Sequence, residues 1–133
     1  MSDMPAAVLL PSPDDRFTKR YVVSDREIIV EGRHWPGQWP ADVEFQMKYG
    51  PTVVHGDLIQ HYLKLVSRKV TVILNRRLPV RISVLGLPTP DAFLSVHDGR
   101  ATDDVLRTYW EARGLALGTL RKLQQDFPLA FRE

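Results

Sequence analysis

Thr102 is followed by Asp103 and Asp104, then by Val105, Leu106, Tyr109, Ala112, Ala116, Leu120, Leu123 and Phe127, with Pro128 closing the series. This is the spacing of a helix with one apolar stripe. It is entered at a threonine cap, carries acids at the positive end of its dipole and is stopped by proline. A one-sided helix must bury its stripe against another layer, so the rest of the chain has to supply one. Gly114 and Gly118 sit four apart inside the pattern. Each costs about 1 kcal/mol relative to alanine, which marks either a close helix contact or a break into two helices.

The preceding chain supplies strands. Tyr21 and Val23, then Ile28 and Val30, alternate with polar residues around Ser24-Asp25-Arg26, which predicts a β-hairpin over roughly 17–31. Val43, Phe45 and Met47 alternate with Asp42, Glu44 and Gln46 as a half-buried strand ending at Gly50-Pro51. Asp57 can cap a helix through Leu58, Ile59, Tyr62, Leu63, Leu65 and Val66 that stops near Arg68. The β-branched run from Val70 then reads as a strand to Leu74, pairing with a second at Val80–Leu85. The competing reading keeps one helix through Asn75, since Val66, Val70 and Ile73 also hold helical spacing. A brief strand is expected at Ala92–Val96 after the Gly86-Leu-Pro-Thr-Pro breaker.

The resulting fold class is α+β: a mainly antiparallel sheet of five or six short strands, one inserted helix, and a C-terminal helix packed on it. Residues 1–15, punctuated by Pro5, Pro11 and Pro13, read as an extended N-terminal arm, and 16–133 as a single domain.

Charge is segregated along this chain. Between Leu58 and Pro90 there is no aspartate or glutamate, yet Lys64, Arg68, Lys69, Arg76, Arg77 and Arg81 all fall there, so the window holds +6 and the remainder of the chain −4. Such a stripe lowers its energy against phosphate or an acidic partner, and suggests an interaction surface. A nucleic-acid reading would use all six cations of the 64–81 segment on phosphates. Against it, Tyr62 is the only aromatic in the window, whereas single-strand binders interleave stacking rings with the charge, and no double-strand module matches. The alternative places Arg76, Arg77 and Arg81 against Asp42, Glu44 or the acids of a neighbouring copy.

Trp35-Pro36-Gly37-Gln38-Trp39-Pro40 forms a stiff aromatic loop, with Trp35 and Trp39 either anchoring a partner or folding back as a lid on the core. His-Gly-Asp at 55–57 and His-Asp-Gly at 97–99 lack any diagnostic metal or acid–base spacing and read as turns. There is no cysteine, no Gly-x-Ser-x-Gly elbow, no Gly-x-Gly-x-x-Gly and no Gly-Lys-Ser/Thr. Hence no catalytic residue, metal, cofactor or small-molecule substrate is expected. Nor is a membrane partner, since no apolar run approaches the ~20 residues of a span. The first residues lack the pattern of a secretion signal.

The expectation is a non-enzymatic structural or assembly subunit of a larger oligomeric complex, such as a viral or phage-like particle, acting through self-association or other protein subunits. A small nucleic-acid-binding accessory protein is the alternative. The expected location is the cytoplasm or an assembled particle.

Overall fold

The structure is a computed structural model, and it describes residues 16–33, 44–49, 56–94 and 102–133. The arm at 1–15 and the loop bearing Trp35 and Trp39 lie outside the described residues, as do Asp42, His55 and His97.

Strands β1 (Arg16–Val23) and β2 (Arg26–Arg33) form the expected hairpin, with Val23 opposite Arg26. Its two-residue turn holds Ser24 at φ 51° and Asp25 at φ 63°. Positive φ at both central positions is the type I′ geometry, whose twist matches that of paired strands. Strand β3 (Glu44–Tyr49) joins β2 antiparallel to give the order β1-β2-β3. Ile28, Val30, Phe45 and Met47 on one sheet face are buried.

The inserted helix, α1, runs Gly56–Asn75. It does not stop at Arg68, and Val70–Leu74 is not a strand. Leu58, Ile59, Tyr62, Leu63, Val66, Val70 and Leu74 are all buried at helical spacing. Burying such side chains contributes about 1.5–3 kcal/mol each, whereas the helix penalty of a β-branched residue is only a few tenths, so packing overrides local preference. The helix ends in a Schellman motif. The Leu78 N–H donates to the Ile73 carbonyl at 3.4 Å, the Arg77 N–H donates to the Leu74 carbonyl at 2.8 Å, and Arg77 takes φ 59°.

With 70–74 helical, the expected partner for 80–85 is gone. Val80–Arg81 (β4) instead pairs in parallel with Phe131–Arg132 (β5), and Ile82–Val84 is a turn of 3-10 helix. Of the strand expected at 92–96, the described residues 92–94 lie instead in a short helix α2, Pro90–Leu94. Thr89 caps it by accepting from the Ala92 N–H at 3.3 Å, and proline occupies its first position. The five described strands therefore divide into a three-stranded antiparallel sheet and the parallel pair β4–β5, in place of one sheet of five or six strands.

The C-terminal helix α3, Asp103–Asp126, follows the sequence reading. Thr102 accepts from the Val105 N–H at 3.2 Å, and the helix is unbroken at both glycines. Gly118 marks a close contact: a Cβ there would overlap Val23 Cγ1, whereas one at Gly114 would meet nothing within 4 Å. Helices α1 and α3 share one hydrophobic core with the sheet.

Candidate interaction surface

The free edge of the sheet at β3 is closed by side chains of α1. Ser67 Oγ accepts from the Met47 N–H at 2.9 Å and passes its own proton to the Leu63 carbonyl at 2.7 Å. Gln60 accepts from the Tyr49 N–H at 2.7 Å while its amide donates to the Met47 carbonyl at 3.1 Å. Thr71 Oγ1 donates to the Phe45 carbonyl at 3.2 Å. Residues 60, 67 and 71 lie on one side of α1, so the helix meets backbone groups that an added strand would otherwise need. A groove of about 680 Å³ runs along this seam, lined by Lys64 and Arg68 among others. Since the edge is satisfied, the groove offers a partner charge and side-chain surface rather than a strand ladder.

The continuous helix redistributes the six basic residues. Lys64 and Arg68 are exposed one turn apart beside the groove. Lys69 lies on another side of α1, where its ammonium donates to the Gly86 carbonyl and ties the helix to the following segment. Arg76 and Arg77 are exposed at the helix end rather than at a hairpin tip, and Arg81 is exposed on β4. In the parallel register Arg81 stands opposite Arg132, a residue outside the basic window that sequence reasoning missed. Register partners of like charge on neighbouring strands repel.

Four cations of the sheet are matched. Arg20 meets Glu27 at 3.1 Å, Arg26 meets Glu111 at 3.2 Å, Arg33 meets Glu44 at 2.7 Å and Lys48 meets Glu31 at 2.5 Å. Glu44, expected as a partner for the basic window, is thus engaged by the sheet. Among the described residues, no acid forms an ion pair with Lys64, Arg68, Arg76, Arg77, Arg81 or Arg132. Segregation along the sequence has become segregation in space.

A second feature was not singled out from sequence. Trp110 on α3 is 60% exposed, with the Arg113 guanidinium 5.7 Å from its ring centroid. It borders a hollow of about 270 Å³ at Gly114, closed on the other side by Ser24 and the Arg26–Glu111 pair. The readable signal was its position between Tyr109 and Glu111, on the polar side of the α3 stripe.

Titration adds two tyrosines. Burial, and then the Asp126 carboxylate that accepts its proton, push the Tyr21 phenol well above its ordinary value. Burial, and then the neighbouring Tyr109, do the same to Tyr62, whose hydroxyl has no hydrogen-bond partner. Neither lies in the groove. Among the described residues no group of His, Cys, Asp and Glu could hold a metal ion, and no helix is long and apolar enough to cross a membrane.

No protein-family model, curated protein or solved structure significantly matches this chain.

Proposed function

We propose that the protein is a non-enzymatic assembly subunit that recognises an acidic protein surface through the cations at the end of α1 and on β4–β5. The observation that carries this reading is the local excess of exposed arginine at Arg76, Arg77, Arg81 and Arg132, with no acidic ion-pair partner among the described residues. Like charges held together raise the energy of the free protein, and an acidic partner relieves that cost while fixing its own register. Lys64 and Arg68 extend the surface along the groove. Trp110 is an exposed aromatic of the kind that anchors interfaces.

The second reading, a nucleic-acid-binding accessory protein, gains support from the unbroken helix, which carries Lys64 and Arg68 and leads directly into the Arg76-Arg77 turn. Its weakness is the lack of an exposed stacking aromatic among these cations.

Fluorescence anisotropy with a labelled poly-glutamate peptide and with a duplex oligonucleotide separates the two. The assembly reading expects peptide binding that is lost in the triple variant R76A/R81A/R132A. Failure to bind the peptide at low salt would overturn it. Oligonucleotide binding far tighter than peptide binding, with a steep salt slope, would establish the second reading in its place.

A further inference from the structure

The two long helices are parallel, and their charges are sorted by end. Tyr62 near the start of α1 packs edge-on against Tyr109 near the start of α3, with ring centroids 5.6 Å apart. Phe93 of α2 joins both rings at 6.1 Å and 5.5 Å. The Tyr109 hydroxyl donates to the Pro88 carbonyl at 2.9 Å, fixing the approach to α2. This cluster brings three helix N-termini to one end of the molecule. Their first turns carry Asp57, Asp91, Asp103 and Asp104, all exposed. Only Asp104 has an ion-pair partner among the described residues, Arg107 at 3.7 Å. The opposite end is fixed where the Val80 N–H donates to the Ala130 carbonyl at 2.7 Å and β4 pairs with β5. There stand Arg76, Arg77, Arg81 and Arg132; among the described residues the acids at this end are Asp126, which closes α3 and accepts from the Tyr21 hydroxyl, and Glu133. At 1.5 Å per residue the 20 residues of α1 hold the two ends about 30 Å apart.

We infer that the acidic partner is the acidic end of a second copy of this chain, so that molecules associate head to tail. This rests on the assembly reading above and gives that surface its occupant. The inference follows from complementarity: four exposed aspartates mark one end and four exposed arginines the other, and the two ends lie at opposite ends of α1. One copy therefore cannot satisfy both of its own ends, but successive copies can. The aspartates sit in the first turns of their helices, where the macrodipole favours negative charge, and Arg76 and Arg77 are likewise favoured at the C-terminal end of α1. A contact between unlike ends is heterologous, and unless its rotation closes a ring it propagates as an open chain of subunits.

Sedimentation velocity over a concentration series tests this with the full chain and two charge-reversed variants, D91K/D103K and R76E/R81E. At about 10 mM salt, where charges act over about 30 Å, the native chain is expected to sediment above its 15.2 kDa mass with rising concentration. At about 1 M salt it is expected to return to that mass. Each variant, having one of its two charged ends neutralised, is expected to associate at least tenfold more weakly. An equimolar mixture of the two is expected to recover association, because basic ends then meet acidic ends. The neutral pairs D91N/D103N and R76Q/R81Q carry the same test if a reversed variant fails to fold by circular dichroism. A native chain that stays at 15.2 kDa throughout, or variants that associate as the native chain does, would overturn the inference. If that monomer still binds poly-glutamate through Arg76 and Arg81, the assembly reading survives and only the self-partner falls. If it binds neither, both fall.

Discussion

Arg81 and Arg132 stand opposite each other across the parallel pair β4–β5, both exposed, with no acidic ion-pair partner among the described residues. Two like charges in register are tolerated because the buried neighbours Val80 and Phe131 hold the strands together. Replacing Arg132 by Glu turns repulsion into attraction. It is expected to raise stability by about 0.5 kcal/mol in urea unfolding at low salt, a gain that salt removes. The same variant should weaken poly-glutamate binding, so stability and binding move in opposite directions.

Arg77 occupies the left-handed position of the Schellman motif, where glycine is usual. Arg77→Gly is expected to stabilise the fold by about 1 kcal/mol through relief of backbone strain, measured by thermal or urea unfolding. A loss of stability would mean that the arginine side chain contributes more than its backbone costs.

The two glycines of α3 should respond in opposite directions. Gly114→Ala meets open space and is expected to gain about 0.5–1 kcal/mol from helix propensity. Gly118→Ala drives a methyl into Val23, a β-branched side chain with little rotamer freedom, and is expected to lose about 1–3 kcal/mol. Chemical denaturation of the two single variants gives the comparison directly.

Ser67 is 3% exposed and bridges α1 to the edge of β3. Ser67→Ala leaves the Met47 N–H without its acceptor in a buried seam and is expected to cost about 1–3 kcal/mol. Faster amide exchange at Met47 than at its neighbours would locate the damage there.

Tyr62 and Tyr21 both titrate above the ordinary phenol value of 10.0 when folded, so folding favours their neutral forms. The sign follows: stability is unaffected by these groups below about pH 10 and falls as pH rises above it, when the unfolded chain ionises first. Tyr62→Phe removes a buried hydroxyl that has no hydrogen-bond partner. It is expected to raise stability by about 1 kcal/mol near neutral pH and to flatten the alkaline decline, both read from urea unfolding across a pH series.

The elements whose signals are local were legible in the sequence. Thr102 with its following acids, the apolar stripe of α3 and Pro128 specify a helix from within one segment, and the structure places its cap and its end accordingly. The β1–β2 hairpin was legible for the same reason, because alternation and a polar turn sit within a few residues of each other. Val70–Leu74 was not. Its β-branched residues favour a strand locally, and only the packing of Val70 and Leu74 into the shared core selects the helix. Nor was α2, where a strand was expected after the breaker: a single turn capped by Thr89, it is settled by Phe93 packing against Tyr62 and Tyr109.

The same division runs through the candidate surface. That the basic residues are concentrated and acid-poor is a property of the sequence alone, since counting requires no coordinates. Which of them share a face depended on α1 being unbroken: Lys69 is drawn off to Gly86, and Arg132 is brought in from 51 positions beyond Arg81 by a parallel pairing no local pattern announces. Charge number is a sum over residues, whereas charge geometry is set by how the apolar side chains between them pack. The sequence therefore determined that this protein carries an unbalanced cationic segment, and the tertiary structure decided that Arg76, Arg77 and Arg81 of that segment stand beside Arg132 while Lys64, Arg68 and Lys69 lie along α1.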